Sequence, residues 1–106
     1  MAKKANLIIG KVREYLKILQ KNDYRIKKAY LYGSYATANY HKDSDIDVLI
    51  ISDDFTGDRF EDSLKILKFA RNIDLRIEPM PYRSRDFKDS DPLVIEVKKR
   101  GKEIKV

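Results

Sequence analysis

Cysteine is absent from the 106 residues of the chain. That excludes a disulfide framework, a thiolate metal site and a cysteine nucleophile together. Long hydrophobic runs are missing as well. The opening MAKKANLIIG holds only the run Leu7-Ile8-Ile9, too short for a signal peptide, and no stretch could span a membrane. The expected location is therefore the cytoplasm. No repeat, low-complexity tract or linker divides the chain, and its length suits one domain, 1–106, with a single core and no separate substrate domain. Residues 1–5 are expected to form a flexible basic tail. Histidine occurs once, as His41 in a polar stretch, where a solvated ring is the plain reading. Charge is what the chain has in quantity: 23 Lys and Arg against 17 Asp and Glu, a net +6. Such a balance favours phosphate-rich ligands or an acidic partner, but it discriminates weakly between them.

Periodicity gives a coarse order of elements. Ile8, Val12, Tyr15, Leu16 and Leu19 recur at helical spacing, so a helix is expected over about 6–21, ended by Asn22-Asp23. Residues 26–32 (IKKAYLY) are rich in β-formers and read as a strand running into Gly33. A short helix is expected from Ser34 to about Ala38, then a polar loop over 39–44. Asp45–Ile51 reads as a second strand, nearly continuous in apolar residues and so buried on both faces. A turn region covers 52–58. A helix over Arg59–Asn72 follows, with Phe60, Leu64, Leu67 and the stem of Arg71 on its apolar stripe. Ile73–Ile77 is expected as a third strand, stopped by Pro79 and Pro81. Asp91-Pro92 has the form of an N-cap and first helical residue, opening a helix through Arg100 that Gly101 closes, with a short edge strand after it. Helices alternating with strands predict a small α/β fold with a mixed β-sheet of three or more strands flanked by helices.

The stretch that carries chemistry is Gly33–Ile51, GSYATANYHKDSDIDVLII. Strand residues alternate faces, so Asp45 and Asp47 point one way while Ile46, Val48 and Ile50 point the other. Two carboxylates on one face repel each other unless a cation sits between them, and hard oxygen ligands suit Mg²⁺. Gly33-Ser34 supplies the complementary half. A glycine lets a phosphate approach the backbone, and a serine at a helix start offers a hydroxyl and free N–H groups to an anion. Carboxylates facing a phosphate-binding turn form the layout of a nucleotide-handling site.

The pattern Gly33-Ser34, ten residues, Asp45-x-Asp47 resembles the nucleotidyltransferase superfamily related to DNA polymerase beta and the kanamycin nucleotidyltransferases, and within it the minimal nucleotidyltransferases (MNT). The resemblance covers nearly the whole chain. It implies the small nucleotidyltransferase fold and transfer of a nucleoside monophosphate, AMP from ATP, to an acceptor hydroxyl with two Mg²⁺ ions. Such chemistry asks for about three clustered carboxylates. Asp45 and Asp47 are two, and Asp74, at the start of the third predicted strand, matches the family's third acidic position. Asp74, Arg76 and Glu78 share a face in that reading, so Glu78 takes the place if the register differs. The third carboxylate would bind a metal and could accept the acceptor hydroxyl's proton. The resemblance also implies a partner of the HEPN type and an antitoxin role in a two-component toxin–antitoxin module, in which some members adenylylate a tyrosine on the toxin.

The chain departs from the family where many members have a second glycine and an arginine: here Ala38 and Thr37 stand in those places. Lys42, Arg76 or another lysine could compensate. Without an appended acceptor domain, the acceptor surface is expected from another chain, a second copy or a partner. Two other readings stay open, an antitoxin that acts by contact alone and a nucleic-acid-directed transferase. Tyr30, Tyr32, Tyr35 and Tyr40 flank the motif, where packing is the plainer reading and stacking on a base the sharper one.

Overall fold

The computed structural model describes residues 2–37, 39–41 and 43–106, with side chains from Asn6 onward. The elements, in order, are α1 (Ala2–Lys21), β1 (Lys28–Tyr32), a 3-10 turn (Gly33–Tyr35), β2 (Ile46–Ile51), α2 (Arg59–Ala70), β3 (Ile77–Tyr82), a second 3-10 turn (Ser84–Asp86), α3 (Pro92–Arg100) and β4 (Lys102–Glu103). The strands form one mixed sheet in the order β3-β2-β1-β4. β1 runs antiparallel to β2 and to β4, and β2 runs parallel to β3 through the α2 crossover. A mixed sheet of four strands flanked by three helices is the α/β architecture that the alternation of elements predicts.

The two faces of β2 explain why it is so apolar. Ile46, Val48 and Ile50 join Ala29, Leu31 and Ile77 beneath α1 and α2, in a core that takes Val12, Tyr15, Leu16, Leu19, Ile66 and Ala70 from the helices. Leu49 and Ile51 face the other way and pack with Tyr82 against Val94 and Val97 of α3. The Tyr15 hydroxyl donates to the carbonyl of Ile66 at 2.7 Å, which locks α1 to α2 inside the core. α1 begins at Ala2 rather than near Asn6, and stops where expected. Asn22 Nδ2 donates to the carbonyl of Ile18, and Asp23 takes a left-handed conformation (φ 72°). Asp91 caps α3 by accepting from the N–H of Leu93, with Pro92 at the first helical position, as the sequence predicts. Among the described residues no helix is long and apolar enough to cross a membrane.

Two expectations about how the sheet and α2 are laid out also change. The third strand lies at Ile77–Tyr82, not Ile73–Ile77, and it contains both prolines. The carbonyls of Arg76 and Tyr82 accept from Ile46 N and Ser52 N at 2.8 and 2.9 Å. Even-numbered residues of β3 therefore turn their backbone groups to β2. Pro79 and Pro81 turn theirs to the open edge of the sheet, where the missing N–H costs no ladder bond. The second change is the rotation of α2. Its buried residues are Asp62, Ile66 and Ala70, while Phe60 and Leu64 stand 72% and 52% exposed. The sequence carries two apolar stripes, and a polar hook selects between them. Asp62, 4% exposed, accepts from the N–H of Thr56, the Thr56 hydroxyl and the N–H of Gly57 at 2.9–3.1 Å. Those bonds hold that side of the helix against the preceding loop, and Ile66 and Ala70 follow it inward.

Candidate active site

Strand alternation carries Asp47 to the α3 face of the sheet, the face of Leu49 and Ile51. Its neighbours across the ladders are Tyr32 on β1 and Glu78 on β3. Asp45 precedes β2 and is exposed. The chain then doubles back over Asp47 from the other side. Gly33 leaves β1 with a φ of 73°, and a Cβ added there would lie 2.5 Å from Asp47 Oδ2. Only glycine permits that approach together with that backbone angle. The glycine turn and the Asp47 carboxylate thus lie against each other.

The turn itself is tighter than expected. Gly33–Tyr35 makes a single 3-10 turn, closed by Ala36 N to the carbonyl of Gly33 at 3.1 Å, in place of a longer helix. Tyr32 occupies the cap position without a side-chain cap bond, so Ser34 lies inside the turn rather than capping it. The Thr37 hydroxyl sits 3.4 Å from the carbonyls of Gly33 and Ser34. Ala38 and Lys42 lie outside the described residues. Beneath the turn, Tyr35 is buried and stacks on Tyr40 with centroids 4.6 Å apart, and its hydroxyl accepts from Arg76 Nη1 at 3.0 Å. Tyr30 stacks on Phe87. These tyrosines pack on other rings of the chain. His41 is exposed; its N–H donates to the Ser44 hydroxyl, and its carbonyl takes the N–H of Ser44.

Burial pushes the Asp47 carboxyl up to about 6, and the charges of Glu78 and then Asp45 push in the same direction. Burial, and then the charge of Asp47, also raises the Tyr32 hydroxyl. Among the described residues no cation offsets this rise at Asp47. An all-oxygen donor set of this kind fits a hard divalent ion, with Asp45, Asp47 and Glu78 as the residues that would hold it. Among the described residues no three acidic or histidine side chains already converge on one ion position.

Asp74 is placed differently. It lies ahead of β3, not within it. Its Oδ2 is 2.7 Å from Lys11 Nζ and 2.7 Å from Arg76 Nη2, and its Oδ1 accepts from the backbone N–H and Nε of Arg76 at 2.9 Å. Those bonds hold the carboxyl well below the usual carboxylate range. A short aspartate that bonds the N–H two residues on makes a turn, and this turn is why β3 cannot begin at Ile73. The structure therefore brings Glu78, not Asp74, beside Asp47. The sequence reading did not single out Arg59. Its guanidinium lies 4.1 Å over the Tyr82 ring and offsets a small part of the rise that burial imposes on the Tyr32 hydroxyl.

Comparison with known proteins bears on the family and the fold. The family model for the nucleotidyltransferase domain matches residues 12–104. A protein of Methanocaldococcus jannaschii, provisionally assigned as a protein adenylyltransferase, is 32% identical over 62 residues, which cover 58% of this chain and 61% of the relative. The chain thus spans less than two thirds of that relative. Two solved structures share the fold at 23% identity. One is a toxin–antitoxin with AMP-PNP, with a TM-score of 0.61 covering 92% of this chain and 72% of that one. The other is a mutant of the toxin–antitoxin MntA-HpeT, with a TM-score of 0.54 covering 88% and 71%.

Proposed function

Because the chain belongs to the nucleotidyltransferase domain family, we propose that it transfers AMP from ATP to a hydroxyl on a second protein, as the antitoxin of a toxin–antitoxin pair with a HEPN-type partner. The observation that carries the reading is the contact of Gly33 with Asp47, with Glu78 as Asp47's ladder partner. Gly33-Ser34 would hold the triphosphate, since the glycine leaves the backbone open to an anion. Asp45, Asp47 and Glu78 would hold Mg²⁺, which when bound neutralises the triphosphate and stabilises the charge that develops on the oxygens. In the transfer, the acceptor oxygen bonds to the α-phosphorus as the bond to pyrophosphate breaks, and the hydroxyl proton passes to a carboxylate. Glu78, exposed and without an ion-pair partner among the described residues, is the carboxylate available for it. Asp74, bound by two cations, is a poor proton acceptor. Support for a protein acceptor comes from the adenylyltransferase assignment of the relative and from the toxin–antitoxin context of the structural neighbours.

Calorimetry of ATP with and without Mg²⁺, on the wild type and on Asp45→Asn/Asp47→Asn, tests the site. Metal-dependent binding that the double variant loses is the expected result. Equal binding by both proteins would place the nucleotide elsewhere. A contact-only antitoxin is the second reading, and the single 3-10 turn favours it, since a longer helix start would offer the triphosphate more N–H groups. Absence of ATP binding both alone and with the partner, together with an intact complex, would establish it.

A further inference from the structure

The stripe Phe60, Leu64, Leu67 and Arg71 has true helical spacing, yet the fold turns it outward. Leu75, 83% exposed, extends it. Between this stripe and the open edge of β3 runs a groove of about 280 Å³ lined by Ser63, Leu67, Leu75, Ile77, Glu78 and Pro79. An added strand cannot cover it well, because Pro79 and Pro81 remove N–H groups from that edge. A helix can. Arg59 opens α2 but lays its guanidinium over the Tyr82 ring; the remaining exposed charge is polar in its arrangement, with Asp58 and Glu61 at the N-terminal end and Lys65, Lys68 and Arg71 toward the C-terminal end. Such a helix is complementary to its own antiparallel copy.

We propose that the outer face of α2 is the contact between two copies of this chain, paired antiparallel about a two-fold axis at Leu64. Helical periodicity then sets the partners. Leu64 meets its symmetry mate. Phe60 of one copy meets Leu67 of the other at the mouth of the groove, on the flank toward β3. Glu61 meets Lys68 of the other copy on the opposite flank, and Asp58 approaches its Arg71. Each contact occurs twice, as a two-fold interface demands. One wall of the filled groove is Glu78, so the pairing also stiffens the strand that sets Glu78 beside Asp47. A contact built largely on one helix from each copy is below the size of a tight interface, and the dimer is expected to form in the micromolar range.

Sedimentation equilibrium from low micromolar to near-millimolar protein tests this. The apparent mass should climb from the 12.5 kDa of one chain toward twice that value. Leu64→Glu, at a half-exposed position that folding does not need, should leave a monomer with unchanged circular dichroism. Glu61→Lys and Lys68→Glu should each weaken pairing on the order of tenfold, because symmetry counts each ion pair twice. The double variant Glu61→Lys/Lys68→Glu should restore it. A wild type that stays monomeric throughout would overturn the proposal and leave the stripe to a different protein. A dimer indifferent to Leu64→Glu, or a charge exchange that does not restore pairing, would overturn it equally.

Discussion

Replacing Asp47 by Asn should make the metal-free protein more stable, although it removes a residue central to the proposed site. In the folded chain the carboxyl titrates near 6 instead of 3.8, because it is partly buried and faces Glu78 and Asp45. At full burial that gap corresponds to about 3 kcal/mol. Water reaches roughly half of the group, and screening reduces the figure to about 1–1.5 kcal/mol. Asparagine keeps the shape that Gly33 packs against and removes the charge. For a domain of this size the melting point should rise by about 5 °C at pH 7.5 in chelator. The pH dependence has a definite sign. Between 3.8 and 6 the folded protein binds a proton that the unfolded chain does not, so wild-type stability falls as pH rises through that window and stays lowered above it. The advantage of the variant should therefore be full at pH 7.5 and vanish by pH 4; groups common to both proteins, such as Asp53 and Asp54, cancel in the comparison. Adding Mg²⁺ should stabilise the wild type and narrow the gap. Differential scanning calorimetry reads all three. A variant less stable than wild type in chelator, or a gap equally large at pH 4, would refute the reasoning.

Other consequences are as direct. Gly33→Ala combines a φ of 73° with a Cβ 2.5 Å from Asp47 Oδ2, and should cost about 2 kcal/mol in chemical denaturation while abolishing ATP binding in calorimetry. Asp62→Ala strips three donors of a buried acceptor and should cost about 2–3 kcal/mol, with ATP affinity per folded molecule unchanged. Asp74→Ala removes the carboxylate that Lys11 and Arg76 share and should lower stability by about 1–2 kcal/mol with little effect on Mg²⁺-dependent ATP binding; Glu78→Gln should weaken that binding and leave stability nearly unchanged. Turnover lost in Asp74→Ala but kept in Glu78→Gln would return the third carboxylate to Asp74.

Where local chemistry decided the outcome, the sequence was legible. Gly33 and Asp47 are tied by one hairpin-like pair of strands, and the register Tyr32 to Asp47 follows once both strands are recognised. The caps of α3 and the stop of α1 at Asn22-Asp23 depend on side chains within a turn of the backbone groups they satisfy. The rotation of α2 was not legible, because both stripes have equal helical spacing. The difference lies in Asp62, whose value comes from donors in the loop before the helix, and a buried aspartate reads from sequence as a surface residue.

The third strand shows how one such tertiary fact reaches the chemistry. That proline ends a strand is a rule for central strands. On an edge strand it holds only at alternate positions, and nothing in IDLRIEPMPY says which strand is the edge. Here Pro79 and Pro81 have the parity that faces outward, so the strand continues through them to Tyr82. Its start is displaced by the same logic, since Asp74 spends its oxygens on Arg76 and Lys11 and closes a turn before the ladder begins. The outcome is that Glu78, not Asp74, stands opposite Asp47. Parallel pairing with β2 fixes that match rigidly, for a slip by one residue would move Glu78 to the core face and bury its charge beside Ile46 and Ile77. Which acidic residue stands opposite Asp47 is thus set by the apolar packing of Ile77 under α2 as much as by any acidic motif.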